Sequence, residues 1–248
     1  MALALGIGMY GTIIGAGGGF LLVPALAVLF GLEPAAAVGT GALTLGLIRV
    51  TGGLGYHRQG LVQWPVAGWF ALGAGPVALL SGWLLTERID SQALLAFIGV
   101  LLLVLAAFVV VRYTVGGLGS GAAQGSVMIA PRKASLFAGG AAVGVMNGTF
   151  AVGGGLVAVP YMAKVQKLSA HQAAATTTAA GTVGSAAATL GHSFNGNVQW
   201  SFAPLLFVGA LAGSWIGAKW AGRLSERVVM ALLAAGLVIA GLPLVIWA

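Results

Sequence analysis

Apolar residues run along this chain in long blocks, separated by short polar stretches. Eight apolar segments can be marked, at about 3–31, 34–55, 65–86, 91–111, 134–162, 171–192, 201–218 and 228–247. Most have the ~20 residues that a helix needs to cross a bilayer. Periodicity discriminates little here, because a helix buried in lipid can be apolar all round. Backbone groups in lipid must be bonded internally, and runs of this length suit helices, not barrel strands. The pattern predicts an all-α integral membrane protein.

The first and fifth segments differ from the rest. Each has nearly 30 residues, and each is interrupted near its middle by three glycines, Gly17-Gly18-Gly19 and Gly153-Gly154-Gly155. A glycine costs about 1 kcal/mol in a helix interior relative to alanine, so three in a row predict a break. The arms on either side have about 12 residues, or about 18 Å of helix, just past the middle of a ~30 Å hydrocarbon core. Each segment can therefore enter, turn at the glycines and leave on the same side as a re-entrant hairpin.

These two segments also belong to a duplication. Pro24 and Pro160 each follow the last glycine by five residues, and the offset of 136 recurs in Gly8/Gly144 and in Val62-Gln63-Trp64/Val198-Gln199-Trp200. With one gap, Arg88-Ile89 matches Arg223-Leu224 at an offset of 135. The expected division is a first transmembrane repeat at 1–113, a Gly/Ser-rich linker at 114–133 and a second repeat at 134–248.

Charge sets the orientation. If segments one and five turn back, nine of the Lys and Arg residues outside the apolar runs fall on one face and only Arg88 on the other. If all eight segments cross, the split is four to six. Basic loops mark the cytoplasmic side, so the hairpin reading is preferred. It gives three crossings and one hairpin per half, hence inverted four-segment repeats and both termini outside the cytoplasm. Trp residues near segment ends fit an interfacial belt.

Composition narrows the function. The 248 residues are 59% hydrophobic and 6% charged, where a soluble domain carries about 25% charged residues. The net charge of +7 is explained by the basic loops, and no nucleic-acid partner is expected. There is no cysteine, which excludes disulfides and thiolate chemistry. Met1 leads straight into an apolar run with no basic stretch before it, so no cleaved signal peptide is expected. The four acids, Glu33, Glu87, Asp90 and Glu226, all sit at segment ends. No paired acids, metal motif or nucleophile with its base lies at membrane depth, which argues against an enzyme, a resident metal or cofactor, and a cation site. A dinucleotide-binding glycine loop would need a strand and an acidic ribose partner, both missing.

Inverted hairpins would bring both triglycine turns to the midplane, where helices begin at about Phe20 and Leu156. A helix N-terminus exposes unpaired N–H groups and about half a positive charge. Two such ends facing one cavity would bind an anion without a charged side chain. The competing role for the glycines is close helix packing, as in Gly11-xxx-Gly15-xxx-Gly19. Asn147, matched by Gly11, either donates to the anion or bonds between helices. Thr40 and Thr176 are repeat equivalents, and the sixth segment continues with Thr177, Thr178, Thr182 and Ser185; these hydroxyls either line the path as a polar stripe or bond back to their own helix. Arg49, matched by Ser185, is the one charge well inside an apolar run and either attracts the anion or snorkels to the basic face. His57, His171 and His192, at segment ends, are expected at the interface. Gln63 and Gln199 are expected to mark matching interface positions.

The stretches from Gly6 through GTIIGAGGGFLLVPAL and from Gly144 through GVMNGTFAVGGGLVAVPYM resemble the paired signatures of the TauE/SafE family of sulfite exporters and anion permeases. The resemblance extends over essentially the whole chain. It implies export of sulfite, a sulfonate or a similar sulfur-containing anion across the cytoplasmic membrane. Such export needs no ATP: one charge moved through 100 mV is worth about 2.3 kcal/mol. The partners expected are that anion and the lipid bilayer, with a homodimer left open. An anion channel and a non-transporting membrane scaffold are the alternatives.

Overall fold

A computed structural model describes residues 2–14, 17–115, 132–221, 224 and 226–247. It is helical, with no strand among the described residues. The first half contains α1 (Ala2–Ile13), α2 (Gly19–Pro24), α3 (Pro34–Arg58), α4 (Trp64–Leu84) and α5 (Ser91–Val115). The second contains α6 (Lys133–Phe150), α7 (Gly155–Val165), α8 (Ala170–Phe194), α9 (Ala203–Ala221) and α10 (Glu226–Trp247). The chain is therefore an all-α membrane protein. Of the expected linker, residues 116–131 lie outside the described ones.

Among the described residues, four helical stretches are long and apolar enough to cross a membrane: Pro34–Arg58, Trp64–Arg88, Ser91–Val111 and Trp200–Trp220. α8, with 25 residues, and α10, with 22, match them in length. α8 starts at a capping box in which Ser169 Oγ accepts from Gln172 N–H and Gln172 Oε1 accepts from Ser169 N–H.

Both long segments break at the glycines. Gly17 and Gly153, equivalent in the repeat, have φ of +80° and +78°, values open to glycine at little cost. The helices beyond start at Gly19 and Gly155, one residue earlier than expected. Pro24 and Pro160 are consequently the sixth residues of their helices, one residue deeper than the expected starts would place them. Pro24 withholds the N–H that would serve its preceding turn, and the helix widens there into a π turn over Ala25–Leu29. α7 passes Pro160 without such a turn.

The arms exchange partners between halves. α1 packs on α9 and α6 packs on α4. The same glycine permits both contacts: a Cβ at Gly8 would lie 3.1 Å from Ala210 O, and one at Gly144 would lie 2.7 Å from Ala74 O, again equivalent residues. Inside a bilayer, apolar side chains gain little by leaving lipid, so close backbone approach and hydrogen bonds hold helices together. α3 crosses α8 at the centre. Gln199 N–H donates to Thr40 Oγ1 (3.0 Å) and Gln63 N–H to Thr176 Oγ1 (3.1 Å). The start of α3 thus meets the residues after α8, and the start of α8 meets those after α3, so the two helices run antiparallel.

One apolar cluster gathers Phe20, Leu22 and Leu26 from the α2 arm with Ile98 and Leu102 of α5 and Leu237 and Leu244 of α10. A second joins Val66 and Phe70 of α4, Val143 of α6, Ala158 and Met162 of α7, and Ala180 of α8. α5 and α10 turn Phe97, Val100, Val104, Ile239, Leu242 and Ile246 outward, the surface expected of helices against acyl chains.

Candidate functional site

The two glycine turns meet in space. A Cβ on Gly19 would lie 2.3 Å from Ala151 O, so the backbones of the two broken segments touch. Ala151, with φ of +47°, ends α6 in a left-handed conformation, and its N–H donates to Asn147 O (3.0 Å). Gly154 then opens α7. The bonding of that helix begins with Val157 and Ala158, both donating to Gly154 O, so the N–H groups at its head lie outside the helical ladder.

Beside this helix start lies a small cavity. Arg49 of α3, Asn147 of α6, Gly154 and Gly155 of α7, and Thr177 and Gly181 of α8 line it, with Phe70 and Val143 as an apolar wall. Its volume is about 10 Å³, close to the least that holds one water molecule.

Arg49 is 2% exposed. Its Nη1 donates to Gly181 O (2.9 Å) and to Ser185 Oγ (2.7 Å), both neutral. No carboxylate among the described residues pairs with it, and Glu33, Glu87 and Asp90 are exposed at helix ends. The guanidinium is charged at any ordinary pH. It does not snorkel, because α8 covers it: a Cβ on Gly181 would lie 2.7 Å from its Cζ. Asn147, 1% exposed, donates from Nδ2 to the same Ser185 Oγ (3.3 Å), while its Oδ1 has no partner among the described residues. Arg49, Ser185 and Asn147 therefore form one chain at the cavity, joined by the head of α7. Positive charge and free N–H donors are what an anionic ligand needs.

Of the residues singled out in the sequence, Arg49, Asn147, Gly154 and Gly155 come together around the cavity. Gly17 faces Arg49 from outside the lining, where a Cβ would lie 3.2 Å from Nε. Gly18 packs on Ile7 of α1, Gly19 on Ala151, and Gly153 makes the bend. Phe20 is fully buried in the first core cluster against Tyr10, and Leu156 packs at its edge. Thr40 and Thr176 are buried at the two ends of the α3–α8 crossing, accepting from Gln199 and Gln63. Thr177, not Thr176, reaches the cavity, and its hydroxyl donates to Met162 Sδ (3.2 Å). Thr178, Thr182 and Thr189 bond back to their own helix.

His192 departs from its expected interfacial place. It is fully buried, because glycines at 82 and 148 bring α4 and α6 close around its ring. His57 and His171 are exposed. Ser185 carries two signals in the sequence, its repeat match to Arg49 and its place in the hydroxyl run of the sixth segment. Phe70, Val143 and Gly181 carry no mark in the sequence that separates them from other apolar positions.

The comparisons agree on a family. The model of the sulfite exporter TauE/SafE family matches residues 1–244. The "Probable membrane transporter protein YunE" of Bacillus subtilis is 22% identical over 99% of this chain and 96% of its own length. The "Probable membrane transporter protein y4hK" of Sinorhizobium fredii is 30% identical over 87% of this chain and 85% of its own. No solved structure matches the chain. The match spans both glycine breaks and the cavity beside them: the chain belongs to the TauE/SafE family and is a multi-pass membrane transporter.

Proposed function

We propose that this transporter exports a small sulfur-containing anion, sulfite, a sulfonate or a similar species, across the cytoplasmic membrane. The anion binds in the cavity between Arg49, Asn147 and the head of α7. The observation that supports this most is Arg49. A buried charge is costly unless paired, and this one has only neutral partners. A bound anion supplies the missing counter-charge, and the unbonded N–H groups of α7 supply its hydrogen bonds.

In this reading the two halves are inverted repeats with three crossings and one hairpin each, and both termini face away from the cytoplasm. The antiparallel crossing of α3 and α8 supports the inversion. Arg58 and Lys164 then lie on the cytoplasmic side. The cavity, at about 10 Å³, is too small for an oxyanion of several heavy atoms, which fits a closed state between two open ones. Opening requires the apolar wall of Phe70 and Val143 to move away from Arg49.

The test is anion flux in proteoliposomes under a set voltage. Sulfite efflux that saturates, shows counterflow and is lost in Arg49→Gln, with insertion intact, is the expected result. Flux that never saturates would identify a channel. Unchanged flux in Arg49→Gln would place the binding site elsewhere.

A further inference from the structure

In each half, one side chain of the following long helix bonds to the last turn of the arm before the glycine break, and the two bonds are repeat equivalents. Tyr56 of α3 donates from its hydroxyl to Thr12 O (2.9 Å), in the last turn of α1. His192 of α8 bonds through Nε2 to Gly148 O (2.7 Å), in the last turn of α6. Tyr56 and His192 are 136 positions apart, and so are Thr12 and Gly148. Both accepting carbonyls belong to the last turn of an arm just before its glycine turn, where the helix leaves carbonyls without partners. The duplication therefore built the same clamp twice, with a phenol in one half and an imidazole in the other.

The difference has a chemical consequence. Tyr56 keeps its proton through the physiological range, whereas a histidine gains and loses one there. Gly148 O can only accept, so neutral His192 carries its proton on Nε2 and leaves Nδ1 bare. Nδ1 is buried and has no partner among the described residues. A second proton there would be a buried donor with no acceptor. Among the charged groups on the elements packed around α8, Glu87 lies on a turn that reaches this end of α6, where its neighbour Thr86 donates from Oγ1 to Thr149 O (3.5 Å). It lies on the 3-10 turn Thr86–Arg88 after α4, held by Asn197 Nδ2 (2.5 Å) from the loop beyond α8. Arg88, on the same turn, is exposed. On α3, Arg49 bonds Ser185, seven residues or about 10 Å along α8 from His192. Lys133 of α6 starts that helix, far from Gly148, and Lys164 lies in the last turn of α7.

We infer that His192 is a proton-binding positioning residue of the transport cycle: neutral, it clamps the second hairpin through Gly148, and protonated, it turns toward Glu87 and releases that hairpin. The first hairpin, held by Tyr56, does not respond. Because α3 and α8 are antiparallel, the two clamps sit at opposite ends of the bundle. With the orientation proposed above, His192 is on the non-cytoplasmic side and acid there frees the hairpin. Only this sidedness and the identity of the cargo rest on the proposed function.

The test uses the full chain with two readouts. In proteoliposomes, wild-type sulfite flux should rise severalfold as pH on the outer face falls from about 8 to 5. His192→Tyr, which copies the other clamp, should transport with no such dependence, and Tyr56→His should add a dependence read from the opposite face. In detergent without any anion, the thermal midpoint of wild type should match that of His192→Tyr at pH 8 and fall below it at pH 5. A flux independent of pH, or a dependence that persists in His192→Tyr, would overturn the inference. If sulfite is not carried at all, the thermal comparison still decides: parallel midpoints across the range refute the clamp, and diverging ones sustain it.

Discussion

Arg49 and Ser185, exactly one repeat apart in the chain, are hydrogen-bonded to each other at 2.7 Å. α3 and α8 run antiparallel, and this bond joins them midway between the contacts of Thr40 and Thr176 at the two ends of their crossing. The cavity adjoins it on one side only. Asn147 stands over the bond from α6, whereas its equivalent in α1 is Gly11, where a Cβ would lie 2.3 Å from Gly18 N. The first arm comes so close to its own glycine turn that no side chain fits. Duplication gave a symmetric frame, and this one difference leaves room for a polar side chain in the second half alone.

Ser185→Ala removes the acceptor shared by Arg49 Nη1 and Asn147 Nδ2. We expect a loss of about 1–3 kcal/mol in stability, the cost of leaving buried donors unsatisfied, together with weaker anion binding. Thermal unfolding with and without sulfite measures both. An unchanged midpoint would mean that water replaces the hydroxyl.

Asn147→Asp tests the electrostatic reading with little change of shape. A carboxylate at this position would pair with Arg49 through the space that the anion is proposed to fill. Sulfite should then no longer stabilise the protein or be transported, while the protein without ligand holds its stability or gains. Retained stabilisation by sulfite would argue against a role for Arg49 in binding.

Gly154→Ala should fail through one identifiable contact. The added Cβ would lie 1.9 Å from Val143 Cγ1, the far end of a side chain. Val143→Ala removes that methyl group, so the double variant should regain much of the flux lost in Gly154→Ala. Gly19→Ala has no such remedy, because its Cβ meets the backbone oxygen of Ala151 at 2.3 Å. Proteoliposome flux for the four variants checks the contrast.

Thr40→Val and Thr176→Val each leave a Gln backbone N–H without its side-chain acceptor. Each should cost about 1 kcal/mol, by similar amounts and additively, since the two bonds lie at opposite ends of the crossing. Anion affinity should not change, because neither residue lines the cavity. A selective loss of affinity in either variant would return that threonine to the binding path.

Much of this architecture is legible in the sequence because its causes are local or repeated. Three glycines in a row break a helix, and the offset of 136 pairs Gly8 with Gly144 and Gln63 with Gln199, which make equivalent contacts in the two halves. Long-range contacts were less legible. Whether Thr176 or Thr177 faces a cavity depends on the rotation of α8, and its mixed apolar and hydroxyl surface does not fix that rotation. The burial of His192 follows from two glycines on other helices, Gly82 and Gly148, whose shared proximity no local pattern records. The prolines show a different limit: their spacing from the glycines is legible, but each helix starts one residue earlier than the glycine pattern suggests and sets its proline one residue deeper.

The meeting of Gly19 with the carbonyl of Ala151 has a mechanical consequence. With no slack between the two bends, a displacement of either is transmitted directly to the other, as between meshed teeth. In the cycle proposed above, a gate on one side of the membrane would then not swing without the opposite gate registering it, and simultaneous leakage through both would be opposed by shape alone.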